Sequence, residues 1–246
     1  MQNPTPEKTF ALVTGANKGI GHEIARQLAA LGTVVWIGAR DIRRGEEAAE
    51  ALRKGGFDVR FVQLDVTDPA SIQKAVIVIA KATDHLDILV NNAGIATDQG
   101  AAPSLLDVGQ MRAIYDVNVF GPVRVTQAFL PLVRAASAGR IVMMSSGLGS
   151  LAKQSDPNHP FFGYNLLGYS TSKTALNSVT LAFAKELANT KIKVNAADPG
   201  YTATDLNQHR GTRSVAQGAA IAVKLATLTD DGPNGGFFND EGAEPW

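Results

Sequence analysis

Apolar runs of strand length alternate along the chain with longer stretches in which apolar residues recur at intervals of three and four. Residues 9–14 (TFALVT) predict a strand, and in 20–31 the side chains of Ile20, Ile24, Leu28 and Leu31 share one helical face. A second strand follows at 33–39, an alanine-rich charged helix at 46–54, and a third strand at 59–64. Asp68 and Pro69 form an N-cap and first-turn pair for a helix carrying Ile72, Ala75, Val76 and Ile79. Residues 87–90 (DILV) make a fourth strand, followed by a glycine and alanine loop. Residues 108–136 then read as one long helix with a bend at Gly121-Pro122. A fifth strand at 140–144 precedes a segment, 147–168, with no clean period. The next helix aligns Leu176, Val179, Phe183 and Leu187. A sixth strand at 193–197, a helix over 214–228 and a last short strand near 236–239 complete the pattern.

Continuous apolar strands spaced by helices predict a parallel sheet buried on both faces, with right-handed crossovers. Two architectures meet that description, an eight-fold barrel and an open doubly wound sheet. A phosphate-binding glycine loop at the first strand-to-helix turn belongs to the second. That turn reads Thr14-Gly15-Ala16-Asn17-Lys18-Gly19-Ile20-Gly21. Glycines let the backbone turn sharply and approach a diphosphate, while the helix opening there offers free N–H groups and the positive end of its dipole. The expected fold is therefore α/β, one doubly wound (Rossmann) sheet of about seven parallel strands with helices on both faces. With no linker, repeat or low-complexity tract, residues 1–246 are read as one domain.

Composition narrows the chemistry. The 246 residues carry 23 Lys+Arg against 23 Asp+Glu, so net charge offers no general attraction to nucleic acid or an anionic membrane, and neither partner is expected. There is no cysteine, which removes disulfides, thiolate metal sites and a thiol nucleophile. The segment 1–9 is polar with two prolines, unlike a secretory signal, and an apolar run such as AVIVIA at 75–80 is far short of the ~20 residues that span a bilayer. A cytoplasmic protein is expected. The four histidines have no metal-ligand spacing, so no metal site is expected; His22 reads as structural, and His159 and His209 have no evident partner.

The TGxxxGxG form of the turn resembles the short-chain dehydrogenase/reductase family, and its other motifs follow in family order. Asn91-Asn92-Ala93-Gly94 stands after the fourth strand, Asn118 in the long helix, Ser145-Ser146 after the fifth strand, Tyr169 and Lys173 as YxxxK, and Pro199-Gly200 after the sixth. Longer spacing before the tyrosine, with TGANKGIG and GARD, resembles the NADPH-dependent carbonyl reductase branch. The resemblance implies a cofactor site made by Gly15, Asn17, Lys18, Gly19, Ile20, Gly21, Arg40, Asp65, Val66, Asn92, Ala93, Gly94, Tyr169, Lys173, Pro199, Gly200, Thr202 and Thr204. In it Asp65 would contact adenine, with Thr202 and Thr204 at the nicotinamide carboxamide. The second strand ends on Arg40 rather than a carboxylate, which with Lys18 favours NADP(H), although Asp41 leaves some NAD use open.

Tyr169 and Lys173, four apart, share a helix face. The ammonium and a cationic nicotinamide are expected to favour the phenolate by roughly 1 to 3 pKa units, or about 1.4 to 4 kcal/mol. A phenol still mostly protonated at neutral pH makes carbonyl reduction the natural direction. The resemblance makes Asn118, Ser146, Tyr169 and Lys173 the catalytic set. Ser146 holds the substrate oxygen, with Ser145 its rival, and Asn118 distorts the long helix and holds a water that relays protons to Lys173.

From Ser146 to Tyr169 is 23 positions against about a dozen in most of the family, so 147–168 contains an insertion. Phe161, Phe162, Tyr164, Leu166 and Leu167 are expected to form an apolar wall of the substrate pocket. The expected function is NADPH-dependent reduction of a small-molecule aldehyde or ketone. The competing readings are a 3-oxoacyl-thioester reductase and a non-catalytic NADP-binding redox sensor. A homo-oligomer, dimer or tetramer, is expected from the family, with a monomer the alternative if the insertion blocks helix packing.

Overall fold

The computed structural model describes residues 8–98 and 102–246. Most of the polar segment 1–9 and the centre of the loop after the fourth strand lie outside the described residues. Eight strands form one sheet: β1 (Phe10–Thr14), β2 (Val34–Ala39), β3 (Val59–Gln63), β4 (Ile88–Asn91), β5 (Arg140–Met144), β6 (Lys193–Ala197), β7 (Phe237–Asn239) and β8 (Gly242–Ala243). They lie in the order β3-β2-β1-β4-β5-β6-β7-β8, with two open edges, which settles the sheet against the barrel. All neighbours are parallel except β7 and β8, which pair antiparallel. The expected seven parallel strands thus become eight with an antiparallel end. Two residues, Gly242 and Ala243, are too few to leave a periodic signal.

Alternation within each strand sends side chains to both faces. Ala11, Val13, Val35 and Ile37 pack with Ile24 and Leu28 of α1 (Gly19–Ala30), Ala49 of α2 (Ile42–Lys54) and Ala222 of α8 (Val215–Ala226). Leu12, Trp36, Leu89 and Ile141 face the other layer. There they meet Ile72 and Ile79 of α3 (Pro69–Ala80), Phe129 of α5 (Gly121–Ala135) and Leu176 of α7 (Leu167–Glu186). Between the elements named so far lie α4 (Val108–Tyr115) and α6 (Leu151–Ser155).

Two local differences from the sequence expectation, and one distortion that it anticipated, have physical causes. Helix α2 starts four residues early, because Asp41 caps it by accepting a bond from Arg44 N at 2.9 Å. The long helix is distorted at Asp116–Phe120, a π-helical turn just before Gly121-Pro122, and this turn carries the buried Asn118. The aperiodic segment 147–168 contains the short helix α6 and two 3-10 turns at Gly147–Gly149 and Pro160–Gly163, capped by Ser146, Ser150 and His159.

Strand order reverses between β1 and β4, which opens a crevice at their carboxyl ends. Here Asn92 Nδ2 donates to the Thr14 and Gly15 carbonyls at 2.8 and 3.3 Å, and the Thr14 hydroxyl accepts from the Asn92 and Ala93 amides at 3.0 Å each. A Cβ on Gly21 would stand 2.3 Å from Asn92 Nδ2 and 2.8 Å from the Gly15 carbonyl oxygen. Gly21→Ala should therefore destabilise the free protein by about 1 to 3 kcal/mol, the usual cost of overpacking, seen as a lower urea midpoint. An unchanged midpoint would show that the turn can yield.

Candidate active site

The crevice has a cavity volume of about 680 Å³, within the usual range for small-ligand sites. Its floor is the first turn, with Gly15, Asn17, Lys18, Gly19, Ile20 and Gly21 all at its surface. Gly15 and Gly19 have φ of 64° and 58°, a region costly for other residues, and α1 begins at Gly19. Arg40 from the end of β2, Asp65 and Val66 after β3, and Asn92, Ala93 and Gly94 after β4 line one side. Pro199 and Thr204 line the other, and Tyr169 and Lys173 stand at the inner end. Asp65 is held in a turn, accepting from Thr67 N at 2.9 Å and from the Thr67 hydroxyl at 2.7 Å.

Gly200 and Thr202 stand behind this surface. Gly200, with φ of 66°, donates its N–H to Asp198 at 2.9 Å, and the buried Thr202 hydroxyl donates to the Pro199 carbonyl at 3.0 Å. Asn118 is also buried behind the lining. It accepts from Ile95 N at 2.8 Å and donates to Ile95 O and the Ser172 hydroxyl at 2.9 and 3.0 Å. Both side-chain donors are thereby committed to the loop after β4 and to α7.

The Ser146 hydroxyl stands near enough to the Tyr169 phenol to favour its charged form, and it accepts from Leu148 N at 3.2 Å. Its rival Ser145 is among the crevice-lining residues, but the Ser145 hydroxyl is buried and donates to Asn177 Oδ1 at 2.5 Å. Lys173 is 4% exposed; its Nζ donates to the Met144 carbonyl at 2.7 Å and lies 5.6 Å from the centre of the Tyr169 ring. Burial lowers Lys173 to about 8. Burial likewise pushes Tyr169 up to about 12, a rise offset in part by the Ser146 hydroxyl and reinforced by the negative charges of Asp198 and Asp98. The expected lowering of the phenol is therefore not what the free protein shows, since loss of water outweighs an ammonium that is itself desolvated.

Other features escaped the sequence reading. Asp198, buried and pushed up by that burial, accepts from the Gly200 N–H at 2.9 Å within the loop after β6 and stands close to Gly147 in the loop after β5. Lys18 does not stand alone: its Nζ pairs with Asp205 at 2.6 Å, and His209 reaches the same carboxylate at 2.8 Å. His209 thus has a partner, and His159 has one too, accepting from Phe161 N at 3.1 Å and packing edge-on to the Phe161 ring. His22, read as structural, reaches the cavity surface together with Glu23. A polar residue on the first turn of α1 has no periodic signal to mark this.

The insertion departs from expectation. Phe161 packs over Gly147, where a Cβ would collide with its ring, and beneath Lys153 at 5.7 Å. Phe162 and Tyr164 are 55% and 53% exposed, and no residue of 147–168 is among the described residues lining the crevice. The aromatic residues organise the excursion around Phe161 instead of walling the cavity, because that ring has an immediate partner in glycine.

A glycine turn at the reversal point of a doubly wound sheet, with a half-buried tyrosine and a buried lysine lining the same crevice, defines a nucleotide-dependent oxidoreductase that acts on CH–OH or C=O groups. The chain belongs to the short chain dehydrogenase family, whose model matches residues 9–214. Among its relatives, a (+)-neomenthol dehydrogenase of Arabidopsis thaliana is 34% identical, over 97% of this chain and 98% of that protein. Carbonyl reductase [NADPH] 1 of Rattus norvegicus is 32% identical over 98% of this chain and 99% of its own. The crystal structure of an NADPH-bound carbonyl reductase from chicken fatty liver superposes with a TM-score of 0.85 at 28% identity, covering 98% of this chain and all of that one.

The lowered Lys173 has a consequence for stability. Between pH 8 and the ordinary lysine value of 10.5, the unfolded chain keeps a proton that the folded chain has released, so stability gains from this group as pH rises. The urea midpoint of the free protein should improve from pH 7.5 to 9.5 by more in the wild type than in Lys173→Met. Equal changes in the two proteins would mean that Lys173 titrates normally.

Proposed function

We propose that the protein is an NADPH-dependent carbonyl reductase that converts a small-molecule aldehyde or ketone to an alcohol, with Tyr169 as proton donor. The observation that carries this reading is the Tyr169 phenol, near Ser146 and held protonated by desolvation, in a glycine-floored crevice that Lys173 also lines. A nicotinamide dinucleotide, when bound, supplies the hydride.

The residues of the crevice suit that group. The first turn and the start of α1 would hold a diphosphate with backbone N–H groups. Asp65, Val66, Asn92, Ala93 and Gly94 would bound the adenosine side, and Pro199 and Thr204 the carboxamide side. Arg40 and Lys18 would meet a 2′-phosphate. Asp41, the carboxylate that left NAD open, is occupied in capping α2 and so favours the phosphorylated cofactor.

Ser146 orients a carbonyl oxygen toward Tyr169, which donates its proton as that oxygen gains charge. A phenol at about 12 is fully protonated at neutral pH, which suits reduction. Lys173, at about 8, can return a proton toward the phenol at working pH. Asn118 has no free side-chain donor, so a water relay to Lys173 would depend on backbone carbonyls rearranged by the π-helical turn.

Two outcomes test this. Tyr169→Phe should still bind NADPH, measured by fluorescence, but lose about 100-fold or more in kcat across aldehydes, aryl ketones, β-keto esters and an acyl thioester. Near-normal turnover in that variant excludes the mechanism, and a wild type that binds NADPH yet reduces none of them is a sensor. Arg40→Ala should weaken NADPH binding by about tenfold, the worth of a charge-assisted bond, and leave NADH binding unchanged. Equal loss for both cofactors would remove Arg40 from 2′-phosphate recognition.

A further inference from the structure

The helix that carries Tyr169 begins without a cap of its own. Leu166 occupies the N-cap position of α7, and a leucine side chain can accept no hydrogen bond. The first N–H groups of a helix have no partner inside it, and leaving them unpaired in a buried site is costly. Here the partner comes from 70 residues away in the sequence: Asp98 Oδ2 accepts from Gly168 N at 2.7 Å and from Tyr169 N at 3.0 Å. Asp98 is 2% exposed, and among the described residues its Oδ1 has no hydrogen-bond partner. A buried carboxylate with one oxygen idle is hard to explain as solubility or chance. It is explained by two donors converging on the other oxygen at the positive end of a helix.

The surroundings are shaped for this contact. A Cβ on Gly168 would lie 3.1 Å from Asp98 Oδ2 and 2.7 Å from Ile114 Cδ1, so the glycine is what admits the carboxylate. Asp98 itself is held in place through its loop. Asn118 grips Ile95 two ways, and Gln110 Nε2 donates to the Thr97 carbonyl. Thr97 lines the crevice, whereas Asp98 stands behind it.

We propose that Asp98 is a positioning residue for Tyr169: it caps α7 from the loop after β4 and fixes the first turn of that helix so that the phenol stands beside Ser146. Its carboxylate touches backbone and does not contact substrate. This inference rests on the reductase reading for its kinetic arm, and a second arm is independent of turnover.

Asp98→Ala removes both acceptors, Asp98→Asn retains an oxygen that accepts from the same two amides, and Gly168→Ala displaces the carboxylate while leaving it present. In Asp98→Ala, kcat for carbonyl reduction should fall by about tenfold or more, the scale of loss on displacing a catalytic group, while KM for NADPH stays near the wild-type value. Asp98→Asn should recover most of that loss, and Gly168→Ala should reproduce it. Amide hydrogen exchange at Gly168 and Tyr169, read in the protein with NADPH present, should quicken by about tenfold or more in Asp98→Ala and much less in Asp98→Asn. If Asp98→Ala fails to fold, Gly168→Ala and Asp98→Asn carry the same comparison. Wild-type kcat in Asp98→Ala or in Gly168→Ala would overturn the proposal. So would equal impairment of Asp98→Asn and Asp98→Ala, or unchanged exchange at the two amides. A wild type inactive on every carbonyl removes the reductase reading and leaves the exchange measurement to decide the role of Asp98.

Discussion

The chain segment leaving β4 carries exposed backbone donors and acceptors into the middle of the molecule, and each must find a partner. The Thr14 hydroxyl and Asn118 provide them at Asn92, Ala93 and Ile95, while two side chains of the segment itself, Asn92 and Asp98, partner backbone elsewhere, and these contacts assemble the site. Asn92 reaches back to Thr14 and Gly15 and sets the glycine turn against the end of β4. Asn118, presented by a π-helical turn in the helix that crosses behind, takes both polar groups of Ile95 and extends to Ser172 on α7. Asp98 then crosses to the amides that open α7. The cofactor floor, the distorted helix and the tyrosine-bearing helix thus meet at a strip of seven residues, because an unpaired backbone group there would cost about 1 to 3 kcal/mol each.

Burial, more than pairwise attraction, sets the protonation states. Tyr169 and Lys173 lie close enough for their charges to matter, yet each is moved in the direction that disfavours its charged form. Two carboxylates, Asp98 and Asp198, add to the rise at the tyrosine from opposite loops while fastening backbone at those loops. A phenol kept neutral and an amine lowered to about 8 thus line the same crevice.

Much of this was legible in the amino-acid order. Strands buried on both faces leave long apolar runs, and seven of the eight could be placed to within a residue at either end. The glycine turn, Asn92, Asn118, Ser146, Tyr169 and Lys173 are found by motif because their chemistry demands particular side chains at particular places. What stayed hidden depends on long-range contact. Nothing local to Asp98 marks it as the cap of a helix 70 residues on, and Asp205 gives no sign that it will turn to Lys18. The desolvation of Tyr169 in the free protein stayed hidden for the same reason: a neighbouring lysine is visible in a sequence, whereas desolvation is a property of everything packed around the pair. In the insertion, aromatic content suggested a pocket wall, but Phe161 found Gly147 first.

The proposed activity stands on one step, hydride transfer from NADPH to a carbonyl carbon while Tyr169 protonates the oxygen. It is tested most directly by supplying a ketone together with NADPH deuterated on the transferring position of the nicotinamide and weighing the product by mass spectrometry. The expected product is an alcohol carrying a single deuterium on its carbinol carbon. An alcohol without the label, or no alcohol from a protein that binds the cofactor, would contradict it.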